Sequence, residues 1–192
     1  MANNDVEIEI QVQVENIKPL EDFLEKNGKL ESEKRQLDEY LVPAHRNFLD
    51  VRPVGEWLRV RDAGGEYSLN YKNWHFTKDG KSYHCDEFET KIEDPDKMRK
   101  ILKVLDFKPI VTVDKTRKSW LYEAWKISLD EIKGLGDFVE IEYEGKDNIE
   151  PEQETAKMVN FLKKLGCGKI KRNYGGYPFH LLFPEEMKFE VE

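Results

Sequence analysis

The chain has few cysteines and no long apolar run. Its two cysteines, Cys85 and Cys167, cannot form the disulfide framework of a small secreted domain, and no Cys–His spacing matches a structural zinc site. No run of about 18 apolar residues is present, and the polar stretch 1–5 leads into an alternating pattern without an apolar signal segment. We therefore expect a cytoplasmic protein that does not insert into a membrane.

Basic charge is also in short supply. Acidic residues outnumber basic residues by 39 to 31, which gives a formal net charge of −8. Non-specific binding of nucleic acid depends on a basic surface, so nucleic acid is not an expected partner. The 192 residues are 39% hydrophobic and 11% aromatic, which is typical of a globular chain. We expect one domain over residues 1–192.

Residues 6–14 alternate between apolar and polar side chains. Val6, Ile8 and Ile10 share one face, whereas Glu7 and Glu9 share the other. This period of two predicts a strand. Further strands are predicted over 33–42, 57–61, 67–74, 83–92, 110–119, 120–129 and 137–144, helices over 19–27, from Pro95 onward and over 151–165, and a lid or edge strand over 173–183.

A single antiparallel sheet of about eight strands leaves exposed edges and tends to curl or close. We therefore expect a mainly β (α+β) fold, an eight-stranded antiparallel closed tunnel or barrel with helices packed outside.

Charges lie two residues apart on several predicted strands, and each pair has a single sign. The acidic pairs are Glu7/Glu9, Glu87/Glu89 and Glu140/Glu142, the basic pairs are Arg59/Arg61 and Lys115/Arg117, and Lys72 and Asp130 lie at comparable positions. Each pair taken alone is most simply a solvated strand face. Like charges at this spacing repel, so together they cost stability unless opposite charges or ligands neutralise them.

If these faces point inward, the tunnel contains seven carboxylates and five cations and cannot pack dry. Such an interior suits divalent cations on the carboxylates and phosphate groups on the Arg and Lys side chains.

Several segments together resemble a known family. They are Glu7-Ile8-Glu9-Ile10-Gln11, Asp38-Glu39-Tyr40, Leu58-Arg59-Val60-Arg61, Leu69-Asn70-Tyr71-Lys72, Lys115-Thr116-Arg117-Lys118-Ser119-Trp120, Leu129-Asp130 and 134–142. This set resembles the CYTH superfamily, also called triphosphate tunnel metalloenzymes, whose signature is an N-terminal E-x-E-x-K strand. The segments from 115 to 142 are most similar to the class IV adenylyl cyclase branch.

The resemblance implies a tunnel that binds a triphosphate together with Mg²⁺ or Mn²⁺. Carried over by position, the metal ligands are Glu7, Glu9, Glu140 and Glu142, with Asp130 in support, and the phosphate-binding residues are Arg59, Arg61, Lys72, Lys115 and Arg117. Glu87 and Glu89 match a further acidic pair of the family. Two positions depart from its pattern: Gln11 replaces the signature lysine, and Cys85 stands near the acidic pair where a basic residue is common.

We expect metal-dependent hydrolysis of a nucleoside triphosphate or of inorganic triphosphate, because hydrolysis requires only phosphate recognition. Two alternatives stay open. One is a class IV adenylyl cyclase that forms cyclic AMP and pyrophosphate from ATP. The other is a non-catalytic protein that binds a phosphate ligand, which the neutral Gln11 favours. The catalytic residue, the base specificity and the existence of a homodimer also stay open.

Overall fold

Antiparallel β-strands make up most of the protein in a computed structural model, which describes residues 6–145 and 149–192. The N-terminal stretch 1–5 and residues 146–148 lie outside the described residues. The strands are β1 Val6–Glu7, β2 Glu9–Val14, β3 Lys29–Pro43, β4 Glu56–Asp62, β5 Tyr67–Phe76, β6 Ser82–Ile92, β7 Phe107–Tyr122, β8 Trp125–Ile132, β9 Gly136–Tyr143, β10 Ile170–Arg172 and β11 Glu190–Val191. The α-helices are α1 Lys18–Asn27, α2 Pro95–Val104, α3 Pro151–Leu165 and α4 Gly176–Leu182.

One curled sheet contains all the described strands, in the order β1-β6-β5-β4-β3-β7-β8-β9-β2-β10-β11. Only Ile8 separates β1 from β2, yet β1 pairs with β6 and β2 pairs with β9, far along the sheet. The sheet therefore curls until β6 and β9, which are far apart in the strand order, both lie against the N-terminal segment. The mainly β class with helices outside is confirmed. The predicted closed ring of eight strands is replaced by an unclosed sheet of eleven described strands, since the N-terminal strand is interrupted at Ile8.

The three predicted helices are found, and two of them cover the outer face of the N-terminal strand. The largest apolar core joins β2, α1 and α3 through Ile10, Val12, Leu20, Leu24, Met158, Val159 and Leu162. A smaller core places Leu102 of α2 against Val60 and Ile92. Because both cores lie outside the sheet, the polar side chains of β2 point to its inner face. None of the described helices is long and apolar enough to cross a membrane.

Two predicted boundaries are wrong. The strands predicted over 110–119 and 120–129 meet at a turn around Glu123, which has a φ of 53°, so β7 continues to Tyr122. No glycine or proline marks this turn in the sequence. The tail predicted as a lid or edge strand forms no strand over 173–183; it contains α4, which packs against β7, and the edge strand β11 follows it.

Leu162 is 0% exposed in the largest core, so its side chain is well packed. The variant Leu162→Ala should therefore lower the free energy of unfolding by about 2–5 kcal/mol. Lys163→Ala is the matched control, because Lys163 is exposed on the same helix, and its effect should stay within about 0.5 kcal/mol. Urea unfolding of both variants measures the difference. Similar values for the two would contradict the packing of α3 described above.

Candidate active site

The inner face of the sheet lines a cavity of about 130 Å³, which is room for several water molecules. Among the described residues, its charged lining comprises six carboxylates and seven cations: Glu7, Glu9, Glu87, Glu89, Glu140, Glu142, Arg59, Arg61, Lys72, Lys115, Arg117, Lys126 and Arg172. Gln11 lines the cavity as well. The structure therefore brings every predicted site residue except Asp130 to one cavity.

Cross-strand register places opposite charges side by side along the inner face. The directly opposed pairs are Arg61 and Asp38, Lys72 and Glu87, Arg117 and Asp130, and Lys126 and Glu142. Opposed side chains in antiparallel strands have Cβ atoms about 4.5–5.5 Å apart, which is within reach of an ion pair. In four of the five like-charged pairs along single strands, one member is thus compensated by the residue opposite it.

Asp38 on β3 lies at the centre of a basic cluster and is 0% exposed. Its carboxylate accepts hydrogen bonds from Arg61 Nε at 2.6 Å and Nη2 at 2.8 Å. Arg59 Nη1 lies 3.4 Å away and Lys115 Nζ 3.5 Å away. Burial by itself raises the pKa of a carboxyl, but the three cations outweigh burial and hold the pKa of Asp38 well below its ordinary value. Asp38 therefore stays ionised and fixes Arg61.

Arg117 on β7 is held by two carboxylates. It donates to Asp130 from Nε at 2.7 Å and from Nη2 at 2.5 Å, and its Nη1 lies 2.7 Å from Glu140 Oε1. Tyr177 Oη also donates to Asp130, at 2.9 Å. Burial opposes ionisation of Glu140, but the charges of Arg117 and Lys115 hold its pKa well below the ordinary value. Asp130 lies outside the cavity lining, where it orients the Arg117 guanidinium.

Two cations of the basic cluster keep donor capacity for a ligand. Arg59 makes only long contacts, 3.4 Å to Asp38 and 3.3 Å to Tyr40 Oη, and its Nε has no partner among residues 6–145 and 149–192. Burial, assisted by the charge of Arg117, lowers the pKa of Lys115 to about 8, so most of this side chain is still charged at pH 7. Both can meet an anion without first losing a close ion pair.

Lys72 lies among carboxylates on the acidic side of the cavity. Its Nζ contacts Glu7, and lies 3.4 Å from Glu9 Oε2 and 3.8 Å from Glu87 Oε1. Burial raises the pKa of Glu7 well above its ordinary value; Lys72 opposes the rise, and the charge of Glu9 adds to it. Burial raises the pKa of Glu9 in the same way. One ammonium does not neutralise this cluster, so the acidic side lacks cationic charge.

The lack of cationic charge on the acidic side of the cavity raises the question of whether that side suits a divalent cation. Mg²⁺ and Mn²⁺ prefer oxygen donors, and carboxylates whose pKa is raised by burial and by like charge gain from a nearby cation. Glu9 also lies directly opposite Glu142, a like-charged pair. In the described part of the chain, no three Asp, Glu, His or Cys side chains are grouped as metal ligands, and Lys72 lies between Glu7 and Glu9. The donor chemistry, however, fits a hard divalent cation.

Gln11 connects β9 to the C-terminal segment. Its Nε2 donates to Glu140 Oε2 at 3.2 Å, and its Oε1 accepts a hydrogen bond from Asn173 Nδ2 at 2.5 Å. Asn173 Oδ1 in turn lies 2.5 Å from His180 Nε2. The position at which the family resemblance implies a lysine is thus part of a neutral amide network.

The sequence analysis assigned no role to four residues of the site. They are Asp38, Lys126, Arg172 and Tyr177. The first two could have been found from the sequence, because Asp38 shares a strand face with Tyr40 on β3 and Lys126 shares a face with Asp130 on β8. The other two carried none, because β10 has only three residues and α4 belongs to a segment without clear periodicity.

Comparison with known proteins identifies the family. The CYTH domain model matches residues 5–174, so the chain belongs to the CYTH domain family. The chain is 34% identical over 173 residues to a candidate adenylate cyclase of Methanocaldococcus jannaschii, a match that covers 88% of this chain and 96% of that protein. It is therefore similar to members linked by name to the adenylate cyclase branch.

Solved structures share the fold. A Pyrococcus horikoshii protein superposes with a TM-score of 0.75 at 28% identity, and the match covers 94% of this chain and 99% of that one. A Hippeastrum protein, a candidate adenylyl cyclase with a dominant triphosphatase activity, superposes with a TM-score of 0.63 at 22% identity over 94% and 97% of the two chains. The second likeness shows the common fold alone.

Removal of the Asp38 charge should strongly destabilise the protein. In Asp38→Asn the cations Arg59, Arg61 and Lys115 lose their shared buried anion, so the free energy of unfolding at pH 7 should fall by about 3–5 kcal/mol. The control is Asp114→Asn, which breaks a similar two-bond pair with the exposed Arg35 and should cost about 1 kcal/mol or less. Urea unfolding compares them.

The difference between wild type and Asp38→Asn should depend on pH. Because the folded-state pKa of Asp38 is lowered, its stabilising effect is complete above the unfolded-chain pKa of about 3.9 and is lost as the pH falls toward the folded value. The difference in stability between the two proteins should therefore begin to shrink below about pH 4 and keep shrinking as the pH falls toward the folded-state pKa. A difference that stays constant from pH 7 to pH 3 would contradict the assigned ionisation state.

Proposed function

We propose that the protein binds the triphosphate group of a nucleotide, or inorganic triphosphate, in this cavity and hydrolyses it with the help of Mg²⁺ or Mn²⁺. One observation carries the proposal: a single buried cavity contains basic side chains fixed by carboxylates on one side and carboxylates short of cationic charge on the other. A polyanion bound together with a divalent cation supplies both missing charges.

The proposed phosphate-binding residues are the five cations to which the family resemblance assigns that role, namely Arg59, Arg61, Lys72, Lys115 and Arg117. Asp38 and Asp130 support this assignment by holding Arg61 and Arg117 in fixed orientations through two hydrogen bonds each. Preoriented guanidinium groups need no rearrangement when negative charge develops on the phosphate oxygens. We assign Asp130 a positioning role on this ground.

The proposed metal ligands are Glu7, Glu9, Glu140 and Glu142, with Glu87 and Glu89 nearby. A divalent cation there would offset negative charge on the phosphate oxygens. Gln11 would hold Glu140 through its amide. The supporting observation is the raised pKa of Glu7 and Glu9, which marks a place where added positive charge is favourable.

Cyclisation of ATP is the second candidate function, because the Methanocaldococcus jannaschii relative is named for that activity. The Hippeastrum protein shares this fold and is named as a cyclase, yet it has a dominant triphosphatase activity, so the name alone does not select the reaction. Binding without turnover is the third candidate, and the neutral amide of Gln11 is the feature that favours it.

Product analysis distinguishes the three functions. With Mg²⁺ or Mn²⁺, ATP and inorganic triphosphate should both release orthophosphate, and a chelator should abolish the release. Cyclic AMP with pyrophosphate from ATP would establish the cyclase instead. Binding of both compounds without any product would establish a non-catalytic phosphate-binding protein.

Triphosphate binding should stabilise the fold. Inorganic triphosphate at 100 times its Kd should raise the free energy of unfolding by about 2.7 kcal/mol, and orthophosphate should do much less because it meets fewer of the cations. Arg59→Gln should reduce this gain, because Arg59 lines the cavity and makes only long contacts, to Asp38 and to Tyr40. Arg46→Gln, at an exposed position, is the control. Equal stabilisation by orthophosphate and triphosphate at matched ionic strength would contradict the proposal.

A further inference from the structure

Arg172 is the last residue of β10, the strand next to β2. Its register partner Val12 packs in the outer core, but the Arg172 side chain lines the cavity, and the residue is 3% exposed. Neither the charge pattern of the sequence nor the family resemblance pointed to it. Its surroundings differ from those of every other cation in the cavity.

Arg172 has no carboxylate partner in the part of the chain that the structure describes. Among the described residues, no carboxylate oxygen lies within 4.0 Å of its guanidinium, whereas each of the other six cavity cations lies within that distance of at least one. Its contacts are weak: Nη2 lies 3.5 Å from the main-chain oxygen of Glu9, and the guanidinium lies 5.1 Å from the centre of the Tyr174 ring. A guanidinium nevertheless remains protonated at any ordinary pH.

A buried cation without an anion is unfavourable, because desolvation is not offset by an ion pair. A ligand oxyanion would remove this cost, and the planar guanidinium matches a phosphate group with paired N–H donors. We propose that Arg172 is a further phosphate-binding residue, which donates paired hydrogen bonds to one phosphate group of the bound triphosphate. This assignment rests on the proposed function.

The position of Arg172 also accounts for the neutral residue at position 11. The next residue, Asn173, bonds Gln11 twice, through its main-chain N–H to the Gln11 main-chain oxygen at 2.8 Å and through its side chain at 2.5 Å. Arg172 is thereby fixed beside the end of β2 that carries Glu9 and Gln11. The cation that the signature places on β2 is, in this chain, supplied from the neighbouring strand.

Arg172→Gln tests the assignment with inorganic triphosphate as the probe and calorimetry as the readout. Loss of the paired, charge-assisted bonds should weaken binding about tenfold or more. Lys171→Gln is the matched control, because it removes the same charge from the adjacent, exposed position of β10, and its Kd should stay within about twofold of wild type. Without ligand, Arg172→Gln should unfold at a urea midpoint equal to or above that of wild type, since an uncompensated buried charge is removed.

A double variant tests the link to position 11. Gln11→Lys combined with Arg172→Gln returns a cation to β2 and should recover part of the affinity that Arg172→Gln loses. If Arg172→Gln does not fold, Arg172→Lys takes its place. That variant keeps the charge but loses the paired donors, so it should bind inorganic triphosphate several-fold more weakly.

Three results separate the possibilities. Unchanged affinity in Arg172→Gln, or in Arg172→Lys where that variant is used, overturns the assignment. Unchanged affinity together with a lower midpoint shows a purely structural role and also overturns it. Absence of triphosphate binding by the wild-type protein overturns the proposed function itself, and the two failures are therefore distinguishable.

Discussion

Every charged side chain that the sheet turns inward needs an opposite charge within the same cavity, and the rest of the structure depends on this requirement. Strand register meets it for two guanidinium groups of the basic side, because Arg61 lies opposite Asp38 and Arg117 lies opposite Asp130. A slip by one residue would turn these side chains to the outer face and direct apolar side chains into the cavity. The residues that form the site are thus also residues that specify the pairing of the strands, and loss of a buried partner such as Asp38 affects fold and site together.

The sequence predicts which faces of the strands are charged, because a period of two assigns alternate side chains to opposite faces. It does not predict which charges meet. Asp38 belongs to no pair of like charges two residues apart, and its importance comes from cations on β4 and β7 that only the register brings to it. Arg172 was missed for a different reason, because three residues of β10 are too few to show a period. The interruption of the N-terminal strand at Ile8 was missed as well, because the alternation of apolar and polar residues over 6–14 is unbroken. The closed ring was therefore predicted with a continuous N-terminal strand.

The two sides of the cavity differ in how well their charges are compensated. On the basic side, Asp38 and Asp130 each accept two hydrogen bonds from one guanidinium. On the acidic side, Glu7 and Glu9 share one ammonium, and burial raises the pKa of each. Preorganised donors favour an anion, and under-compensated carboxylates favour a cation. A ligand that carries both an anion and a cation compensates the charges on both sides. The cavity should therefore discriminate among ligands more strongly than a uniformly basic or acidic pocket.

Both ends of the chain contribute to the cavity, and this has a consequence for how the site forms. Strand β2 carries Glu9 and Gln11 and pairs with β9 and β10, which come more than a hundred residues later. Such long-range pairings form slowly, because loop closure precedes the contacts that stabilise it. The outer core of α1 and α3 holds Ile10 and Val12 of the same strand, so apolar packing outside the sheet keeps the charged residues of β2 in place inside it. The helices therefore serve the site without touching a ligand, and loosening of their packing should open the cavity before the central strands separate.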